Sequence, residues 1–74
     1  VPPRSQSRHR HEELSDRERL VLRYLATSMS YREIASELLI SVNTLKSHVK
    51  HIFRKLDAPS RDKALANGRN AGYL

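Results

Sequence analysis

Ser30-Tyr31-Arg32-Glu33-Ile34-Ala35, followed by Ile40-Ser41-Val42-Asn43-Thr44-Leu45-Lys46-Ser47-His48, contains two helix starts separated by about one short helix. Ser30 with Glu33 forms a capping-box pattern: the serine oxygen accepts from a free backbone N–H, and the glutamate reaches back to another. Ser41 offers the same kind of start, and beyond it apolar residues recur at helical spacing. Starts this close leave room for one short helix and a tight turn, here Leu39 to Ser41, before a longer helix begins. That arrangement is the helix-turn-helix, with the second helix presenting one face outward.

The same punctuation divides the rest of the chain. Ser15 with Glu18 predicts a first helix that carries Leu14, Val21, Leu22, Leu25 and Ala26 toward a core and ends near Thr27 or Ser28. The second helix is expected from about Tyr31 to Leu38, burying Ile34, Ala35 and Leu38. The third is expected from about Val42 to Leu56. Its apolar residues Leu45, Val49, Ile52, Phe53 and Leu56 fall at i, i+4, i+7, i+8 and i+11, one continuous stripe. Ala58-Pro59 interrupts, and Ser60 caps a fourth helix through Ala64, Leu65 and Gly68 to about Asn70, with Gly72 as its stop. There is no strand alternation and no internal repeat. The expected fold class is all-α, four short helices around one core over residues 14–74. Residues 1–13, rich in proline, serine and charge, read as a linker or flexible tail. A start at Val1 rather than Met fits a piece of a longer protein, with room for a regulatory or sensory domain before it.

Composition narrows the function classes. At 74 residues this is one small domain, near the lower size at which a chain buries an adequate core unaided. It has no cysteine, which removes disulfide stapling and thiolate metal sites. No apolar run approaches the ~20 residues that span a bilayer, and no signal-peptide pattern opens the chain, so a soluble cytoplasmic setting is expected. The formal net charge is +6, and its distribution matters more than its size. Over residues 41–57 four cations (Lys46, Lys50, Arg54, Lys55) against Asp57 leave +3, whereas over residues 31–40 Arg32 against Glu33 and Glu37 leaves −1. A basic strip on one helix is the electrostatic footprint of a phosphate backbone. With only three Tyr and one Phe there is little to stack on single-stranded bases, so the expected partner is duplex DNA.

On a wheel of ~100° per residue, Asn43, Ser47, Lys50, His51 and Arg54 of the third helix face away from its apolar stripe, and Lys46 sits at the boundary. Lys46 and Lys50 are one turn apart, and lysine donates to guanine O6 and N7 in the major groove. Ser30, Ser41 and Thr44 can donate hydroxyl hydrogen bonds to phosphates, which positions a helix without reading sequence. Charge alone would fit a solvated face for the lysines; joined to the paired helix starts, it favours groove contact. For Ser30 and Ser41 simple capping holds in either case, and Arg54 and Lys55 read as general electrostatics. His48 lies at the stripe's edge and reads as a packed histidine. His48 with His51, or His9 with His11 in the tail, lacks a third metal ligand close by. With no glycine-rich phosphate loop and no placed carboxylate pair, no enzyme site, metal or cofactor is expected.

Leu14-Ser15-x-Arg17-Glu18, Val21-Leu22, Leu25-Ala26, Ser30-x-x-Glu33-Ile34-Ala35, Leu38-x-Ile40-Ser41, Thr44-Leu45-Lys46-x-His48, Ile52, Lys55-Leu56 and Arg61-x-x-Ala64 together resemble the LuxR/GerE-type DNA-binding domain. The likeness covers residues 14 to about 74. It implies a four-helix domain at the C-terminus of a bacterial transcription regulator, with the third helix in the major groove. It further implies binding to inverted repeats as a homodimer paired through the fourth helix (Ala64, Leu65 and Gly68), and a contact with RNA polymerase. The isolated domain can be monomeric when free. By position, Lys46, Ser47 and Lys50 resemble base or groove contacts, and Arg32, Ser41, Thr44, His51 and Arg61 resemble phosphate contacts, alongside Ser30, Asn43 and Arg54 from the wheel. Ala64 and Gly68, small and one turn apart, permit close helix approach, either to a partner or to the chain's own third helix. Three positions depart from the family pattern: Ser28 and Ser60 stand where glycine and asparagine are usual, and His51 where asparagine is common.

Two rival readings fit parts of the chain. Leu22-Arg23-Tyr24, Ser30-Tyr31-x-Glu33-Ile34-Ala35 and Thr44-Leu45-Lys46-Ser47 also resemble region 4 of bacterial sigma factors, a promoter-binding domain. The continuation His48, Ile52, Lys55-Leu56 and a capped fourth helix favours the LuxR type. A helical protein-interaction module without DNA binding is the other alternative, and the +3 charge of the third-helix segment argues against it.

Overall fold

The computed structural model describes residues 13–74; residues 1–12, which hold most of the expected tail with His9 and His11, lie outside the described part. Four helices follow in order: α1 (Asp16–Leu25), α2 (Tyr31–Leu38), α3 (Val42–Lys55) and α4 (Arg61–Asn70). Each starts on the serine that the sequence marks. Ser15 and Ser30 form complete capping boxes with Glu18 and Glu33, while Ser41 and Ser60 accept from the N–H of Thr44 and Lys63. A serine hydroxyl satisfies one of the N–H groups that a helix start leaves without a partner.

The helix ends divide into two kinds. Three close on a left-handed residue: Leu39 at φ 59°, Asp57 at φ 55° and Gly72 at φ 88°. Behind each, two backbone bonds fold back in the Schellman pattern. Ile40 N–H reaches Ala35 O at 3.0 Å, Ala58 N–H reaches Phe53 O at 2.8 Å, and Tyr73 N–H reaches Gly68 O at 2.8 Å. α1 ends differently, on Ala26 at φ −80° with no left-handed residue. It also stops at Leu25, two to three residues short of the expected Thr27 or Ser28, and Ala26 is exposed rather than buried. The Thr27 hydroxyl closes this end: it donates to Tyr24 O at 2.6 Å and accepts from Met29 N–H at 3.1 Å where the chain leaves the helix.

The core is a single cluster to which every helix contributes. Leu14, Val21, Leu22 and Leu25 meet Ile34 and Ala35 from α2, Leu45, Val49 and Ile52 from α3, Leu56 just beyond it, and Ala64 from α4. The expected third-helix stripe points inward, with Phe53 half-buried at its margin. Leu38 is half-buried as well, and packs on the cluster from outside. α3 packs against all three other helices, so its inner side is fully committed and only its outer side remains available.

Candidate nucleic-acid interface

The α3 backbone sets two rows of side chains on its outer side. Lys46, Lys50 and Arg54 follow one another at i, i+4 and i+8, and Asn43, Ser47 and His51 do the same beside them; all six are exposed. At 1.5 Å rise per residue, neighbours in a row stand about 6 Å apart along the axis. Lys46, at the boundary of the apolar stripe on the wheel, is exposed. His48 is half-buried at the edge of the stripe, between the exposed rows and the core.

The start of α3 differs electrostatically from the other three. α1 carries Asp16 and Glu18 in its first turn, α2 carries Glu33 and α4 carries Asp62, but the first turn of α3 has no acid. The positive end of its dipole is therefore not offset by a carboxylate of its own, which favours an external anion. The local hydroxyls are also directed. Ser41 Oγ accepts from Thr44 N–H at 3.0 Å and donates its one proton to Thr44 Oγ1 at 3.0 Å. Thr44, holding that proton as acceptor, has its own hydroxyl hydrogen to donate outward. Between the two, Thr44 is thus the better phosphate donor. Ser30 accepts from Glu33 N–H at 3.2 Å and keeps its proton; Arg32 beside it is exposed.

Arg61 is placed otherwise than a free phosphate contact. Its Nε donates to Leu25 O at 3.1 Å, and its Nη2 donates to Thr27 O at 3.0 Å and Met29 O at 2.9 Å. The guanidinium carbon also lies 5.7 Å from the centre of the Tyr31 ring. Three of its five N–H groups are spent inside the chain, leaving the two on Nη1.

The small residues of α4 face inward. Ala64 is fully buried in the chain's own core, and a Cβ on Gly68 would stand 2.9 Å from Leu22 Cδ2. At Gly68 the close approach is made to α1. Of the expected pairing trio only Leu65 retains exposed surface.

Several anchors behind the interface escape a local reading of the sequence. Glu18 is only 7 % exposed, and besides capping α1 it receives Lys55 Nζ at 2.9 Å. Burial raises its carboxyl pKa, but the hydrogen bonds from Lys55 and Ser15 and the Lys55 charge outweigh it and leave the group below its ordinary value. Asn67 Nδ2 donates to Leu56 O at 2.8 Å, joining α4 to the end of α3. The Tyr73 hydroxyl accepts from Leu14 N–H at 3.1 Å, and Arg19 lies over its ring at 5.2 Å. These contacts span 11 to 59 residues, beyond any local pattern.

The profile of the family described as bacterial regulatory proteins, luxR family, matches residues 12–66, from before α1 into α4. A nitrate/nitrite response regulator protein homolog of Haemophilus influenzae is 46% identical over 50 residues, covering 68% of this chain and 24% of its own length. The Fimbriae Z protein of Salmonella typhimurium is 52% identical over 48 residues, covering 65% and 23%. The transcriptional regulatory protein LiaR of Bacillus subtilis is 39% identical over 54 residues, covering 73% and 26%. The chain thus spans about a quarter of the length of these relatives. Four helices built on a helix-turn-helix, the basic outer face of α3 and a family match reaching into α4 agree: this chain belongs to the luxR family of bacterial regulatory proteins and is a DNA-binding domain of the helix-turn-helix type.

Proposed function

We propose that the domain reads duplex DNA with α3 in the major groove, as the C-terminal output element of a cytoplasmic transcription regulator. The observation that carries this reading is the outer side of α3: two rows of exposed donors behind a helix start that has no acid of its own. Lys46, Ser47 and Lys50, along the middle of the helix, reach base edges. Ser30, Arg32, Asn43, Thr44, His51 and Arg54 surround them and take the phosphates, with Thr44 the principal hydroxyl donor at the helix start, since Ser41 spends its proton on Thr44 Oγ1. Pairing of two copies on an inverted repeat uses the outer side of α4, around Leu65. An RNA polymerase contact belongs to the surface left free once DNA is bound.

Selection of bound sequences from a random duplex pool tests the reading, followed by titration of a recovered duplex at several salt concentrations. Each phosphate neutralised contributes about −0.9 to the slope of log K against log salt. A slope steeper than about −2 per domain is expected, with an inverted repeat among the recovered sequences. A chain that ignores duplex DNA at low salt would instead be a helical protein-interaction module.

A further inference from the structure

α1 is the one helix of the four whose end lacks a left-handed residue. The last carbonyls of a helix have no partner within it, and in α2, α3 and α4 the Schellman turn meets that need. At α1 the Ala26 and Thr27 N–H groups serve Leu22 O, Arg23 O and Tyr24 O, and the last carbonyl, Leu25 O, is met from a distance. Arg61, the first residue of α4, sends its guanidinium back to Leu25 O, the last residue of α1, and on to Thr27 O and Met29 O in the following turn. Those acceptors lie 32 to 36 residues away in sequence. A cation at a helix C-terminus is also favoured by the dipole. The turn so held runs directly into Ser30, the N-cap of α2, and Tyr31, whose ring lies 5.7 Å from the same guanidinium. The Thr27 hydroxyl closes the turn from inside, bonding Tyr24 O and Met29 N–H.

We infer that Arg61 is a positioning residue for DNA recognition, acting as a long-range C-cap of α1 that sets where the helix-turn-helix begins, rather than as a phosphate ligand. The inference rests on the DNA-binding reading for its consequence but not for its geometry. A planar fork that serves three carbonyls cannot be replaced by a lysine, whose point charge reaches one or two of them. A phosphate ligand, in contrast, retains most of its contribution when arginine becomes lysine, because the charge is kept.

The test is Arg61→Lys in the 74-residue chain, with Arg61→Met beside it, using a duplex selected on the wild type and a generic duplex of equal length. Expected for Arg61→Lys is at least a fivefold loss in the ratio of selected to generic affinity, with the salt slope unchanged. Amide exchange should accelerate at residues 26–31 while Leu45 to Ile52 keep their protection. A general loss of stability would lower both affinities together and leave the ratio of the folded molecules intact. Wild-type ratio and wild-type exchange in Arg61→Lys would overturn the inference. So would a drop of about 0.9 in slope for Arg61→Met with unchanged exchange, since that is the signature of a lost phosphate contact. If the wild type binds neither duplex, the DNA reading fails, and exchange at residues 26–31 still decides whether the clamp exists.

Discussion

Single residues carry the proposed reading of DNA and some of the strain. Leu39 is 91% exposed and sits in the left-handed region at φ 59°. A side chain there costs roughly 1–2 kcal/mol relative to right-handed backbone, and with almost no surface buried nothing in the chain offsets it. Leu39→Gly should stabilise the domain by about 1 kcal/mol, the relief of strain exceeding the added chain entropy of glycine. In a domain of this size that raises Tm by roughly 4–8 °C; a lower Tm would show that Leu39 makes a contact the geometry does not reveal. On the outer face of α3, Lys46→Ala and Lys50→Ala should each weaken binding to the selected duplex by ~1–3 kcal/mol and relax the preferred sequence. Arg54→Ala should weaken selected and generic duplex alike. Unchanged affinity in both lysine variants would remove α3 from the groove.

At the scale of elements, two contacts govern how α1 is seated. α4 lies close against it because Gly68 has no side chain: an added Cβ would meet Leu22 Cδ2 at 2.9 Å inside a filled core. Gly68→Ala sets that crowding against a helix-propensity gain of about 1 kcal/mol and should come out near neutral. Gly68→Leu has no such balance and should destabilise by roughly 1–3 kcal/mol or more, read by urea denaturation. A stable Gly68→Leu would mean that α4 can move away from α1 freely. The second contact is Glu18 with Lys55, joining α1 to the end of α3 at 2.9 Å. The Glu18 carboxyl titrates below its ordinary value in the folded chain, so folding favours its ionised form. Its contribution is present above the unfolded-state value of about 4.3 and is lost as pH falls through the lower folded value. Glu18→Gln should therefore flatten the acid limb of stability while lowering stability at neutral pH. An acid limb identical to wild type would assign the pH dependence to other groups.

The molecule as a whole is a small core with the outer face of α3 proposed for DNA. In the proposed pairing through α4, inward-facing Ala64 and Gly68 leave half-buried Leu65 as the member of the trio with surface to offer. The free domain should accordingly sediment as a monomer and pair on a fragment carrying both half-sites. A strict monomer on that fragment would contradict pairing through α4.

How much of this was written in the sequence depends on range. The four serine caps, the stripe of α3, the fold class and the basic outer row were all legible, because each depends on residues within about one or two helical turns. The end of α1 was misplaced; a threonine hydroxyl bonds Tyr24 O there, a contact that apolar spacing does not register. The direction of Ala64 and Gly68 was legible only as a permission for close approach; which neighbour approaches is decided by the packing of α1. Arg61 resembles a phosphate contact by position, and its hydrogen-bond partners lie 32 to 36 residues back. Local chemistry thus determined which segments become helices and which face of α3 carries the charge. Only the tertiary structure decided which charges remain free for DNA, because a cation's partners are set by chain segments brought together on folding and not by its neighbours in sequence.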